Sequence, residues 1–147
     1  MIVDSNQKML TVGEIIQEAA QSTGVNRPFE EVVQVLQMEL SMPNIWKCRE
    51  GNTLFIVHKS AKPGFGYFRA LNADTAQNYV ANSRKFIAAA YQVGFDYLVT
   101  QFQDPTVLNI FKIIARDKPA DMGYAMQRTN TDGYQVTVKL GKSRGDL

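Results

Sequence analysis

The stretch "GFDYLVTQFQDPTVLNIFKII", residues 94–114, decides how this chain folds. Its first part, "FDYLVTQ", is rich in β-branched and aromatic residues and reads as a strand. Asp104 and Pro105 then supply an N-cap acceptor and a first-turn proline, so the strand passes into a short helix carrying Val107, Leu108, Phe111 and Ile114. Small α/β enzymes often keep a cofactor cleft where a strand feeds a helix in this way. Whether chemistry accompanies the framework depends on the flanking segments.

Upstream, "DTAQ" at 74–77 opens a longer helix with Ala76, Tyr79, Val80, Phe86, Ile87 and Ala90 as its stripe, Asp74 as its expected N-cap and Gly94 as its stop. Three short aromatic and β-branched runs precede it: "NIWKCR", "TLFIVH" and "FGYFRAL". Glu50, Gly51 and Asn52 form a tight turn between the first two, and "KSAKPG" leads to the third, so the segment predicts an antiparallel meander. The long helix between "FGYFRAL" and "FDYLVTQ" predicts that these two strands are parallel, joined by a right-handed crossover.

At the N-terminal end, Thr11 and Glu14 in "TVGE" match a capping box, followed at helical spacing by Val12, Ile15, Ile16 and Ala19, with Gly24 as the stop. A second helix is expected from about Pro28, with Phe29, Val32, Val33, Leu36 and Leu40 on its apolar side and Pro43 beyond its end. At the other end, "GYAMQR" and "YQVTVKL" flank "TNTDG", a hairpin with an Asp-Gly turn. The resulting order is α-α-β-β-β-α-β-α-β-β around one central mixed sheet, an α+β (mixed α/β) domain spanning residues 1–147. Residues 1–10 and 141–147 are expected as peripheral tails, although "MIV" can add an edge strand.

The chain of 147 residues with 45% hydrophobic residues is enough for one sizeable core. A net charge of +2 with scattered basic residues and no long like-charge run gives no visible phosphate-tracking surface, so nucleic acid is not the expected partner. The single cysteine, Cys48, excludes an internal disulfide and a multi-cysteine metal cluster. The first ten residues contain an acid and no long apolar run, so an ordinary signal peptide is not expected, and no segment has the apolar length of a membrane helix. The expected setting is the cytoplasm or the interior of a virion.

Two N-terminal helices, a meander, a long helix, a parallel strand, a short helix and a closing hairpin resemble the GNAT fold of the N-acetyltransferases without its first strand. The resemblance covers most of the chain. GNAT enzymes often place an Asn, an Ala three residues on and then a Tyr on the short helix ahead of a "GF" strand. Asp104, Val107, Phe111 and Gly123-Tyr124 stand in those places. Residues 104–141 are also similar to the ending of the acetyltransferase-like internal virion protein of short-tailed phages.

The resemblance implies an acetyl-CoA site, but its parts are degenerate here. Where the family has Q/R-x-x-G-x-G/A to wrap a pyrophosphate with bare amides, this chain has "ALNADTAQ", and no glycine lies between Gly66 and Gly94. An N-cap carboxylate at Asp74 would compete with phosphate for the same amides and repel it. The short-helix tyrosine that often protonates the departing thiolate is Phe111 here, with no proton to give. Glu50, in a turn, is the acid the meander offers as a base. The implied reading is a catalytically silent GNAT-like protein acting through protein subunits, as a phage virion or assembly component, without cofactor or metal. The alternative is an active N-acetyltransferase in which Asn72, Asp74 and Gln77 frame the acetyl-CoA phosphates and Tyr124 donates the proton.

Two further constellations bear on function. "KPGFGYFRA", residues 62–70, resembles the signature strand of RNA-recognition domains, K/R-G-F/Y-G/A-F-V-x-F/Y, at Gly64, Phe65, Gly66 and Tyr67, and departs from it at Pro63, Phe68 and Ala70. A strand with a glycine bulge is the plainer reading, and Phe65, Tyr67 and Phe68 are the candidate interaction residues. Cys48 and His58 lack an obvious orienting partner, so they read as a small thiol beside Trp46 and a surface histidine at a strand end.

Overall fold

The computed structural model of the protein describes residues 9–22, 29–116, 122–129 and 133–141. Helix α1 (Val12–Ser22) starts with the predicted capping box: the Thr11 amide donates to Glu14 Oε1 at 2.9 Å, and the Glu14 amide donates to Thr11 Oγ1 at 3.1 Å. The expected stop at Gly24 and start at Pro28 lie outside the described residues, and α2 runs over Phe29–Leu40. The meander follows as β1 (Ile45–Glu50), β2 (Thr53–Lys59) and β3 (Phe65–Asn72). Glu50 pairs with Thr53 across a two-residue turn, which Gly51 enables with a φ of +54°.

Helix α3 (Ala76–Gln92) is capped by Thr75, whose hydroxyl accepts from the Asn78 amide, and not by Asp74 as the sequence suggested. Asp74 is drawn away by other donors, described below. At the far end Gly94, at φ +116°, donates to the Tyr91 carbonyl, while the Phe95 amide donates to that of Ala90. These two bonds form a Schellman closure that turns the chain into β4 (Tyr97–Phe102). Helix α4 (Pro105–Arg116) starts at Asp104, whose carboxylate accepts from the Thr106 amide at 2.9 Å. Strands β5 (Gly123–Arg128) and β6 (Tyr134–Lys139) close the sheet as a hairpin, with most of its turn outside the described residues.

The six strands lie in the order β1-β2-β3-β4-β6-β5, with β3 and β4 parallel and every other pair antiparallel. This is the predicted element order around one mixed sheet. The predicted glycine bulge is absent: β2 and β3 stay in continuous register from Thr53↔Asn72 to Lys59↔Gly66. Gly66 serves close packing instead, since a Cβ there would lie 2.6 Å from Val57 Cγ1 and 2.9 Å from Phe95 Cε1.

The sheet separates two cores. On one face, α3 and α4 cover Phe55, Val57, Phe68, Leu98, Val136 and Val138, with the Phe55 and Phe86 rings stacked at 4.1 Å and 2°. On the other, α1 and α2 bury Ile15, Ile16 and Leu36 against Leu54 and Ile56. This second core draws strand residues from β1, β2 and β3, so the helical layer stops at the middle of the sheet.

Candidate functional site

β3 and β4 pair only at Phe65↔Tyr97, Gly66↔Leu98 and Tyr67↔Val99. Beyond Tyr67, β3 continues to Asn72 against β2, while β4 continues to Phe102 against β6, so the two parallel strands part into a V. The parting cannot be bridged by backbone hydrogen bonds, and side chains must fill it. Phe111 of α4, 5% exposed, does so from the helical side. Its ring lies 6.3 Å from that of Phe68 on one strand and 5.6 Å from that of Phe102 on the other.

A parallel pair followed by a short helix and a hairpin is what the sequence resemblance implied, while the splitting of that pair was not foreseen, and a solved structure matches the overall fold. A chimeric spermidine N-acetyltransferase from Vibrio cholerae SpeG and hSSAT superposes over 88% of this chain and 92% of that one, with a TM-score of 0.52 and 8% sequence identity. The fold is GNAT-like. No family model and no curated protein matches the chain.

Within this GNAT-like frame, the loop from β3 to α3 stands where the family wraps phosphate. Here its polar groups bind one another. The Asp74 carboxylate accepts through Oδ2 from the Asn52 amide at 2.8 Å and from Asn82 Nδ2 at 2.7 Å. Asn82 also donates to Thr53 Oγ1 at 3.0 Å, and Thr53 donates to Asn72 Oδ1 at 2.8 Å. Asn72 closes on its own loop, donating to the Asp74 carbonyl and accepting from the Asp74 amide. Asn52, Thr53 and Asn82 are all buried. Arg49 extends the network to the Gly51 and Leu10 carbonyls, so the β1-β2 turn, the α3 start and the segment before α1 are tied together.

Of the three residues considered for phosphate contact, Asn72 and Asp74 are therefore structural members of this network. Gln77 stands apart. It lines a groove of about 450 Å3 between α3 and α4, with Val80, Ala81 and Arg84 from α3 and Ile110 and Ile113 from α4. Arg84 crosses it by donating to the Ile113 carbonyl at 3.2 Å.

Tyr124, the alternative proton donor, is not in the V. Register places it beside Val138, which in turn pairs with Leu98, two strands from β4 and level with the closed end of the split. Two strand spacings put its backbone roughly 10 Å from β4. Burial pushes the hydroxyl up to about 12, with Arg84 opposing the shift, and it has no hydrogen-bond partner among the described residues. Glu50 lies in β1 at the edge of the sheet, level in register with Asn72 at the open end of the split but two strands away from it.

Cys48 and His58 occupy opposite faces of adjacent strands: Cys48 pairs with Phe55, His58 with Ile45. Burial, with Glu50 adding to it, pushes the Cys48 thiol up to about 11, away from thiolate chemistry. His58 does have a carboxylate partner, which the sequence reading missed. Glu39 Oε2 lies 2.5 Å from His58 Nε2, and its Oε1 accepts from the Arg69 guanidinium. The signal was Glu39's place three residues after Leu36, on the inward side of α2.

The three candidate interaction residues are divided by the alternation of β3. Phe65 and Tyr67 point to the face away from α3 and α4, and Tyr67 is 55% exposed. Phe68 points the other way into the core, against Phe86 and Phe111, so it is a packing residue and not a contact residue.

Proposed function

We propose that this chain is a GNAT-like scaffold that acts through protein contacts and does not transfer acetyl groups. The observation that carries this reading is the internal use of the loop before α3, where Asp74 is committed to Asn52 and Asn82. With Asp74 held there by the Asn52 amide and Asn82, the loop presents a phosphate with a negative group and no glycine-built cradle. Phe111 in the split supports the same conclusion, because its ring fills the space between the strands and offers no proton. The two features are independent, one at the mouth of the cleft and one inside it.

The contact role is supported by apolar side chains left on the outside of α2 and just beyond it: Val35, Met38 and Met42 are 53%, 67% and 48% exposed. A phage virion or its assembly is the setting we propose, on the similarity of residues 104–141 to the acetyltransferase-like internal virion protein of short-tailed phages.

Calorimetric titration with acetyl-CoA and with CoA tests the first part. No heat at millimolar cofactor is expected. Binding in the micromolar range that Gln77→Glu abolishes would overturn the reading and restore the acetyltransferase alternative. The setting is tested by mass spectrometry of purified particles of the phage that encodes the chain, in which stoichiometric presence is expected and absence from both particles and assembly intermediates would refute it.

A further inference from the structure

We propose that this chain assembles head to tail, the outer side of α2 from one copy seated in the groove between α3 and α4 of the next. This deepens the contact role proposed above, on which it rests, by making a second copy the partner. Val35, Met38 and Met42 stand at helical spacing. The Ser41 amide donates to the Met38 carbonyl and the Met42 amide to that of Glu39, so the helical track continues past Leu40 and the three side chains share one outward stripe. Glu31, four residues before Val35, extends that stripe at its N-terminal end. The groove is shaped to receive it: about 450 Å3, lined by Val80, Ile110 and Ile113, with Ala81 small enough to let a helix come close.

Charge selects the partner and its direction. Helices α1 and α2 contain Glu14, Glu18, Glu30, Glu31 and Glu39 and no Lys or Arg, whereas α3 and α4 contain Arg84, Lys85, Lys112 and Arg116 and no Asp or Glu. The net charge of +2 therefore conceals two helical layers of opposite sign on opposite faces of the sheet. Like layers repel, so unlike surfaces meet. α3 and α4 run in the same direction, each returning from one of two parallel strands, and their basic residues begin at Arg84 and Lys112, midway along each helix. The acids of α2 lie in its first turn, apart from Glu39, which is tied to His58 and Arg69. α2 therefore lies antiparallel to its neighbour's α3, with Glu31 toward Arg84 and Lys85 and Met42 toward Gln77. Because the two surfaces sit on opposite faces, no copy can satisfy itself, and each holds one neighbour on either side. The rotation per step decides between a closed ring and a filament.

The test is sedimentation velocity of the full chain from about 1 to about 200 µM, in which species larger than a monomer should grow with concentration. Met38→Glu on one surface and Ala81→Glu on the other should each leave monomers. Both positions are exposed, so neither variant threatens the fold, and circular dichroism checks this. Mixing the two variants in equal amounts combines one intact α2 with one intact groove and should give a dimer that grows no further. Glu31→Lys should weaken assembly roughly fivefold. A monomeric wild type, assembly retained by either surface variant, a mixture that stays monomeric, or indifference to Glu31→Lys would each overturn the proposal. A monomeric wild type would leave the contact role to other partners, whereas the absence of acetyl transfer is tested separately by the acetyl-CoA titration.

Discussion

The two ends of β3 behave as different materials. At Phe68–Asn72 the strand has lost its partner on one side, yet it is the more firmly held end, because Asn72 and the following Asp74 join a buried network and Phe68 packs under Phe111. At Phe65–Tyr67 the strand is paired on both sides, the Phe65 ring is held between Tyr97 and Lys62, and Tyr67 is left 55% exposed. Backbone pairing and side-chain commitment are thus separable, because the end of β3 that parts from β4 is the one whose side chains are most engaged with other segments.

The contrast can be broken most severely from beneath. Phe86→Ala removes a ring that is 1% exposed and stacked on Phe55, and should cost about 3–5 kcal/mol in denaturant unfolding. Asp74→Ala attacks the Phe68–Asn72 end alone. It strips a charged acceptor from the Asn52 amide and Asn82, both buried, and should cost about 2 kcal/mol. Because the proposed silence rests on the missing glycine cradle as well as on Asp74, that variant should still show no acetyl-CoA affinity in the calorimeter.

Gly51→Ala should cost about 1–2 kcal/mol, because the residue sits at φ +54° and its new Cβ would lie 2.9 Å from atoms of both Asn82 and Asp74. A smaller effect is expected at alkaline pH. Tyr124 keeps its proton in the folded state up to about 12, against an ordinary value of 10, so its contribution is complete below 10 and is lost as pH rises from there through 12. Tyr124→Phe should flatten that part of the stability profile, measured by thermal melts across the range. Tyr67→Ala should change stability by less than about 0.5 kcal/mol. A larger loss there would mean that the Tyr67 ring is part of the packed fold after all.

Much of the framework was legible because its signals are local. The Thr11–Glu14 box, the Asp104-Pro105 start and the Gly51 turn each satisfy backbone groups a few residues away, and the helix and strand periods report which residues are buried. The long helix between β3 and β4 made their parallel pairing a matter of chain geometry. What the sequence by itself determined is therefore the order of elements, the direction of the parallel pair and the lack of glycine at the phosphate loop. Only the tertiary structure decided where polar groups found partners. Asp74 left the cap position to Thr75 because the Asn52 amide and Asn82 side chain, distant in sequence, reach it in the fold. Glu39 met His58 for the same reason, and Tyr124 was carried two strands from the split by the order β4-β6-β5. Such choices depend on distances between segments, which a linear pattern of residue types does not contain.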